Sequence, residues 1–135
     1  MLIAEKREKN MAKQSNPVVY FEIPVHSIDR AILFYKSVFN FEFALETIDN
    51  NEMALFPFTE GTSGISGALA KGEIYKPTKE GVLIYFKTEN IDETMRLAKL
   101  NGGLLLYPKT NNGIGYVAEL EDTEGNRIAL YQPLN

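Results

Sequence analysis

The chain repeats itself, and this self-similarity narrows the folds open to its 135 residues more than any other feature. VYFEIPVHSIDRAILFY, residues 19–35, has the layout of VLIYFKTENIDETMRLA, residues 82–98: a strand-like run, a short polar step, Ile-Asp, then a helical pattern. Aligning Asp29 with Asp92 gives an offset of 63. Further on, ALFPFTEG (54–61) aligns with AELEDTEG (118–125) at an offset of 64, and GAL (67–69) with IAL (128–130) at 61. Three anchors in one order at nearly one spacing mark two copies of a single unit.

Periodicity assigns the elements. Val19, Phe21, Ile23 and Val25 alternate with Tyr20, Glu22 and Pro24, the period of two that a strand shows when one face meets a core. Val82, Ile84 and Phe86 repeat the pattern against Leu83, Tyr85 and Lys87. Ile28, Ala31, Ile32, Tyr35, Val38 and Phe39 then form one apolar helical stripe. Ser27 is suited to cap the first helix and Asn90 the second, where Glu93 would complete a capping box. Asn40 can stop the first helix because Asn tolerates positive φ, and Gly102-Gly103 can stop the second. Three strand-like pieces follow each helix: 41–47, 53–58 and 65–70, then 104–107, 115–121 and 127–132. A Thr-Glu-Gly turn joins the last two of each set, and 71–81, with Pro77, reads as the linker. Each copy is thus a βαβββ unit, within a single domain spanning 17–135: module 1 over about 17–71 and module 2 over about 81–133. Residues 1–16, rich in Lys, Glu, Asn and Gln, read as a flexible tail, with Met1 and Met11 both open as the natural start.

Composition removes several functions. A net charge of −4 with no dense Lys/Arg cluster offers no field for nucleic-acid phosphates. No apolar run approaches the roughly 20 residues of a membrane-spanning helix, and the N-terminus lacks a signal-peptide stretch, so a cytoplasmic location is expected. The absence of Cys excludes thiolate zinc sites and cysteine nucleophiles. His26 is the only histidine; at a strand-to-helix step a solvated or capping role outweighs catalysis. Gly102-Gly103 closes a helix instead of opening one, so it is no phosphate cradle. Glu119, Glu121 and Asp122 read as a solvated acidic edge and turn.

Two βαβββ units with an Arg-Ala-x-x-Phe-Tyr motif at the first strand-to-helix entry (Arg30, Ala31, Phe34, Tyr35), and with a closing Asp122, Gly125 and Asn126 before the last strand, resemble the glyoxalase/bleomycin resistance/dioxygenase (vicinal oxygen chelate) superfamily over residues 17–133. ISGALAKGEIYKP and EDTEGNRIALYQP look most like its members described as predicted enzymes related to lactoylglutathione lyase, for which no substrate carries over. The resemblance implies an α+β fold in which the two modules form a curved, mostly antiparallel sheet around a concave cavity. It also implies a homodimer. Metal-dependent members hold a divalent ion with His, Glu or Gln on the first and last strands of each module; the corresponding positions here are Tyr20, Ala68, Leu83 and Ala129. None is a usual ligand, so no metal or other cofactor is expected.

If the helices cover the apolar sheet faces, the other faces line a ligand pocket from Tyr20, Glu22, Ala68, Leu83, Tyr85, Lys87, Arg127, Ala129 and Tyr131, with Ser66 and Ala70 beside them. Small residues leave volume, tyrosines give apolar walls with polar tips, and three charges can orient a ligand. Glu22 is the one candidate acid or base, since a carboxylate between Phe21 and Ile23 on a central strand would be poorly solvated; a structural ion pair with a neighbouring Lys or Arg is the competing role. The leading expectation is metal-independent binding or catalysis of a small molecule. The alternatives are a metal-dependent lyase, isomerase or dioxygenase built on Glu22, and a non-catalytic protein that sequesters a drug or other ligand. The sequence does not decide whether the protein is an enzyme.

Overall fold

The computed structural model describes residues 16–134. The tail assigned to 1–16 therefore lies outside the described residues except for Asn16. The elements are β1 (Phe21–Pro24), α1 (Ile28–Phe39), β2 (Ala44–Ile48), β3 (Asn51–Leu55) and β4 (Gly67–Lys71), then β5 (Tyr85–Lys87), α2 (Ile91–Leu100), β6 (Leu104–Asn111), β7 (Gly115–Glu121) and β8 (Arg127–Pro133). This is the expected α+β arrangement of two βαβββ modules. The eight strands are divided between two four-stranded sheets, ordered β1-β4-β3-β2 and β5-β8-β7-β6. In each sheet the first strand runs parallel to the last, and the other pairings are antiparallel.

The internal repeat reappears as strand register. Glu22 pairs with Ala68 and Tyr85 with Ala129, positions related by 63 and 61. Ala54 pairs with Leu69 and Ala118 with Leu130, related by 64 and 61. A one-residue slip would turn each strand inside out, so the two modules place equivalent side chains on equivalent faces.

Both helices pack into one core shared by the modules. Ile28, Ala31, Phe34, Tyr35 and Val38 of α1 meet Leu69, Phe86, Ile91, Ala118, Leu120 and Leu130 there. An aromatic group occupies the junction: Tyr35, Phe39, Phe41, Phe43 and Phe56 from module 1 pack with Phe86 from module 2. This packing explains why residues 41–43, expected to begin a strand, do not pair: Phe41 and Phe43 turn their rings to the core before β2 starts at Ala44.

The caps follow local chemistry. Ser27 Oγ accepts from the Arg30 N–H (3.2 Å) and Asn90 Oδ1 from the Glu93 N–H (3.1 Å). Asn40 sits at φ 63° and Gly102 at φ 96°, both as expected for helix stops. The capping box is only half made. Glu93 turns to Arg96, while the Asn90 N–H donates to Thr88 Oγ1.

The acidic turn of module 2 departs from the sequence expectation. Asp122 and Glu124 are buried, 3% and 4% exposed, and bind module 1 to module 2. Asp122 accepts from the Tyr35 hydroxyl (2.7 Å), from the N–H groups of Glu124 and Asn126, and from Asn126 Nδ2. Glu124 Oε1 accepts from the backbone N–H of His26 and of Ser27, each at 2.8 Å, and Arg30 closes a fork onto both carboxylate oxygens. The residues that carry the family resemblance at the two ends of the chain are thus one contact. The repeat-equivalent turn of module 1 makes no such contact: Glu60 is exposed, and Gln132 Oε1 caps α2 in its place by accepting from the Ile91 N–H (2.8 Å). No described helix is long and apolar enough to cross a membrane.

Candidate functional site

Cross-strand register fixes which residues share the sheet faces opposite the core. In module 1 these are Glu22 on β1, Ala68 and Ala70 on β4, and Met53 and Leu55 on β3. In module 2 they are Tyr85 and Lys87 on β5, Arg127, Ala129 and Tyr131 on β8, and Glu119 on β7. Seven of the nine pocket residues expected from sequence, Glu22, Ala68, Tyr85, Lys87, Arg127, Ala129 and Tyr131, therefore lie on these faces. Tyr20 and Leu83 fall in the segments leading into β1 and β5.

Glu22 occupies a different setting from the one expected. β1 is an edge strand, and the carboxylate is exposed instead of enclosed between apolar neighbours. Neither the poorly solvated acid nor a Lys or Arg partner is found. Two phenols hold it: the Tyr20 hydroxyl donates to Oε2 (3.1 Å) and the Tyr75 hydroxyl to Oε1 (2.8 Å). Partial burial, together with the Glu22 charge and hydrogen bond, pushes the Tyr20 hydroxyl up to about 12; the hydrogen bond to Glu22 and then burial raise Tyr75. Both stay protonated at neutral pH and act as donors. Tyr75 lies in the linker, where sequence periodicity gives no sign of a site residue.

On the module 2 face, Arg127 forms an ion pair with Glu119, while Tyr85 and Lys87 are exposed beside Ala129 and Tyr131. The two modules adjoin at a cleft of about 300 Å³ between β1, the approach to β5 and the start of β8, with Glu22, Val82, Ile84 and Arg127 among its walls. A second cleft, about 450 Å³, lies at the start of α1 beside β2 and β3; it holds His26, Asp29, Glu52 and Lys71 and none of the expected pocket residues.

Comparison with known proteins decides the family. The model of the Glyoxalase/Bleomycin resistance protein/Dioxygenase superfamily matches residues 18–130. The chain belongs to that superfamily. No curated protein matches it. Among solved structures, a glyoxalase/bleomycin resistance protein/dioxygenase family enzyme from Burkholderia phytofirmans PsJN superimposes with a TM-score of 0.68 at 20% identity, covering 85% of this chain and 97% of that one. TnmS3, an antibiotic-binding protein from Streptomyces sp. CB03234, gives 0.63 at 21% identity, with 90% and 98% covered. The genomically encoded fosfomycin resistance protein FosX from Listeria monocytogenes gives 0.64 at 16%, with 90% and 94% covered. At these identities the likeness is one of fold.

A metal-dependent member of the superfamily would require these residues to suit a divalent ion. They do not. Ala68 on β4 and Ala129 on β8 have no donor atom, and register sets Glu22 and Tyr85 opposite them, where the sequence pattern pointed to Tyr20 and Leu83. One carboxylate, one phenol and two methyl groups are a poor donor set, and that carboxylate already accepts from two hydroxyls. Among the described residues no three His, Cys, Asp or Glu side chains come together in a way that could hold a metal.

Proposed function

We propose that the protein binds a small organic molecule on the sheet faces that carry Glu22 and Tyr85, and does so without a metal. The observation that carries this reading is the pairing of Glu22 with Ala68 and of Tyr85 with Ala129: in each module a polar-tipped side chain stands beside an alanine methyl, the chemistry of an orienting contact next to an apolar wall. The cleft shared by Glu22 and Arg127 adds a place where one charged side chain from each module could reach the same ligand. Binding alone, which is what the antibiotic-binding TnmS3 is described as doing, needs nothing further from these residues, and sequestration of a ligand would follow from it. In a catalytic version, Glu22 would be the group to accept a proton, with Tyr20 and Tyr75 as donors beside it.

A homodimer completes this reading. Val19 and Val82, related by the repeat offset of 63, are 81% and 85% exposed at the approaches to the edge strands β1 and β5. Apolar side chains left bare at equivalent places in both modules suit burial against a second copy.

The test is a melting-temperature screen of small aromatic and alicyclic compounds in buffer containing EDTA, repeated with added divalent ions. The expected result is a compound that raises the melting temperature equally with and without EDTA. Stoichiometric, tight binding of a divalent ion that is lost in Glu22→Gln would contradict the metal-free reading.

A further inference from the structure

The module 1 face already holds an aromatic ring. Met53, Ala68 and Ala70 lie on a sheet face outside the core, yet they are buried, and Tyr75 packs over them with Leu55 at the side. The same tyrosine reaches Glu22 with its hydroxyl at 2.8 Å. It arrives from the linker, which is fastened at both ends. At one end the Tyr75 N–H donates to the Gly72 carbonyl (3.1 Å) in a turn; at the other, the Thr78 N–H donates to Asn126 Oδ1 (3.1 Å). A side chain at Gly72 would collide with Asn51 and press on the Tyr75 ring, so a glycine there lets the turn sit close to the sheet. Between Glu73 and Pro77, the Glu22 bond is the hydrogen bond from a described residue that holds the strap to the face; Ile74 and Lys76 point to solvent.

A ring on a floor of methyl groups, with a hydroxyl aimed at a carboxylate, is a ligand pose supplied by the chain itself. We propose that Tyr75 is an intramolecular occupant of the ligand site, and that the true ligand carries a hydroxyl-bearing aromatic ring which displaces it onto Met53, Ala68 and Ala70 and donates to Glu22. This rests on the small-molecule reading above and specifies both the chemical class of the ligand and the way the site is kept closed without it. The hydroxyl must be protonated to donate, so the site selects the neutral form of the ring. A phenol with an ordinary pKa near 10 enters at neutral pH and is rejected above that value by repulsion from the carboxylate.

The test uses 4-methylphenol, which reproduces the tyrosine side chain, with toluene as the ring lacking the hydroxyl, titrated calorimetrically into the full-length protein and its variants. Tyr75→Ala empties the face and is expected to bind 4-methylphenol at least about tenfold more tightly than the wild type, and to prefer it to toluene by about tenfold, the usual scale for a hydrogen bond to a charged group. Tyr75→Phe keeps the ring and loses the hydroxyl, so its affinity should fall between the two. In Tyr75→Ala/Glu22→Ala the preference over toluene should vanish. Equal affinity of wild type and Tyr75→Ala for 4-methylphenol would overturn the proposal, and so would equal binding of 4-methylphenol and toluene by Tyr75→Ala. If a screened compound still stabilises wild type and Tyr75→Ala alike, the small-molecule reading stands and the strap does not gate the site.

Discussion

Replacing Glu124 with Ala separates two turns that look the same in sequence. Its side chain is wholly buried and accepts from the N–H groups of His26 and Ser27 and from the Arg30 fork, contacts that reach back 94 to 98 residues. A hydrogen bond to a charged group contributes about 1.5 kcal/mol at the low end, so the two backbone bonds alone come to about 3 kcal/mol. Arg30 adds less, because half of its side chain is in solvent and its fork can be hydrated once released. With a urea dependence of about 2 kcal/mol/M, the unfolding midpoint should fall by about 1.5 M in chemical denaturation followed by circular dichroism. Glu60→Ala, the repeat-equivalent change on an exposed side chain, should stay within about 0.5 kcal/mol of the wild type. Equal midpoints for the two variants would refute the assignment of Glu124 as the clasp between modules. The pH dependence carries the same signature. Burial pushes the Glu124 carboxyl up, but Arg30 and the two backbone donors outweigh it and hold the group below its usual range. The unfolded chain therefore takes up the proton first as pH drops. The stability Glu124 confers is complete above about 4.5 and is lost as pH falls through its lower folded value, a loss that Glu124→Gln should not show.

Tyr35→Phe removes a buried hydroxyl from Asp122, whose carboxyl burial already raises, and should cost about 2 kcal/mol in the same unfolding assay; a loss below about 0.5 kcal/mol would mean that the remaining three donors suffice. Asn40→Ala should destabilise by about 1 kcal/mol and Asn40→Gly should be neutral or better, because the residue sits at φ 63°; the reverse order would contradict its role as a left-handed cap. Val82→Asp should shift the protein toward monomer in sedimentation velocity without lowering the monomer's unfolding midpoint, and an unchanged oligomeric state would remove Val82 from the interface.

Features that depend on local chemistry or on repetition could be read from the chain. The offsets between Asp29 and Asp92 and between the two Thr-Glu-Gly turns return as strand register, and Ser27, Asn40, Asn90 and Gly102 cap helices for the reasons their side chains suggest. Features that depend on distant partners could not. Nothing local distinguishes Glu124 from Glu60, since the difference lies in Arg30 and Ser27 far upstream. Asp122 looks solvated until the Tyr35 hydroxyl is placed beside it. Period-two alternation gave the face of Glu22 but not its edge position, which depends on strand order. Tyr75 was invisible as a site residue for a similar reason: a tyrosine in a charged, proline-containing linker has no periodic neighbours, and its role appears only once the strap is laid across β3 and β4.

The central claim, a small-molecule site on the outer sheet faces, is tested most directly by mapping where a stabilising compound binds. Backbone amide shifts should be followed by two-dimensional NMR during titration of such a compound in metal-free buffer. The account predicts that the largest changes fall on Glu22, Ala68, Tyr85 and Ala129 and persist in EDTA. Changes confined to the cleft around His26, Asp29, Glu52 and Lys71, or changes abolished by EDTA, would contradict it.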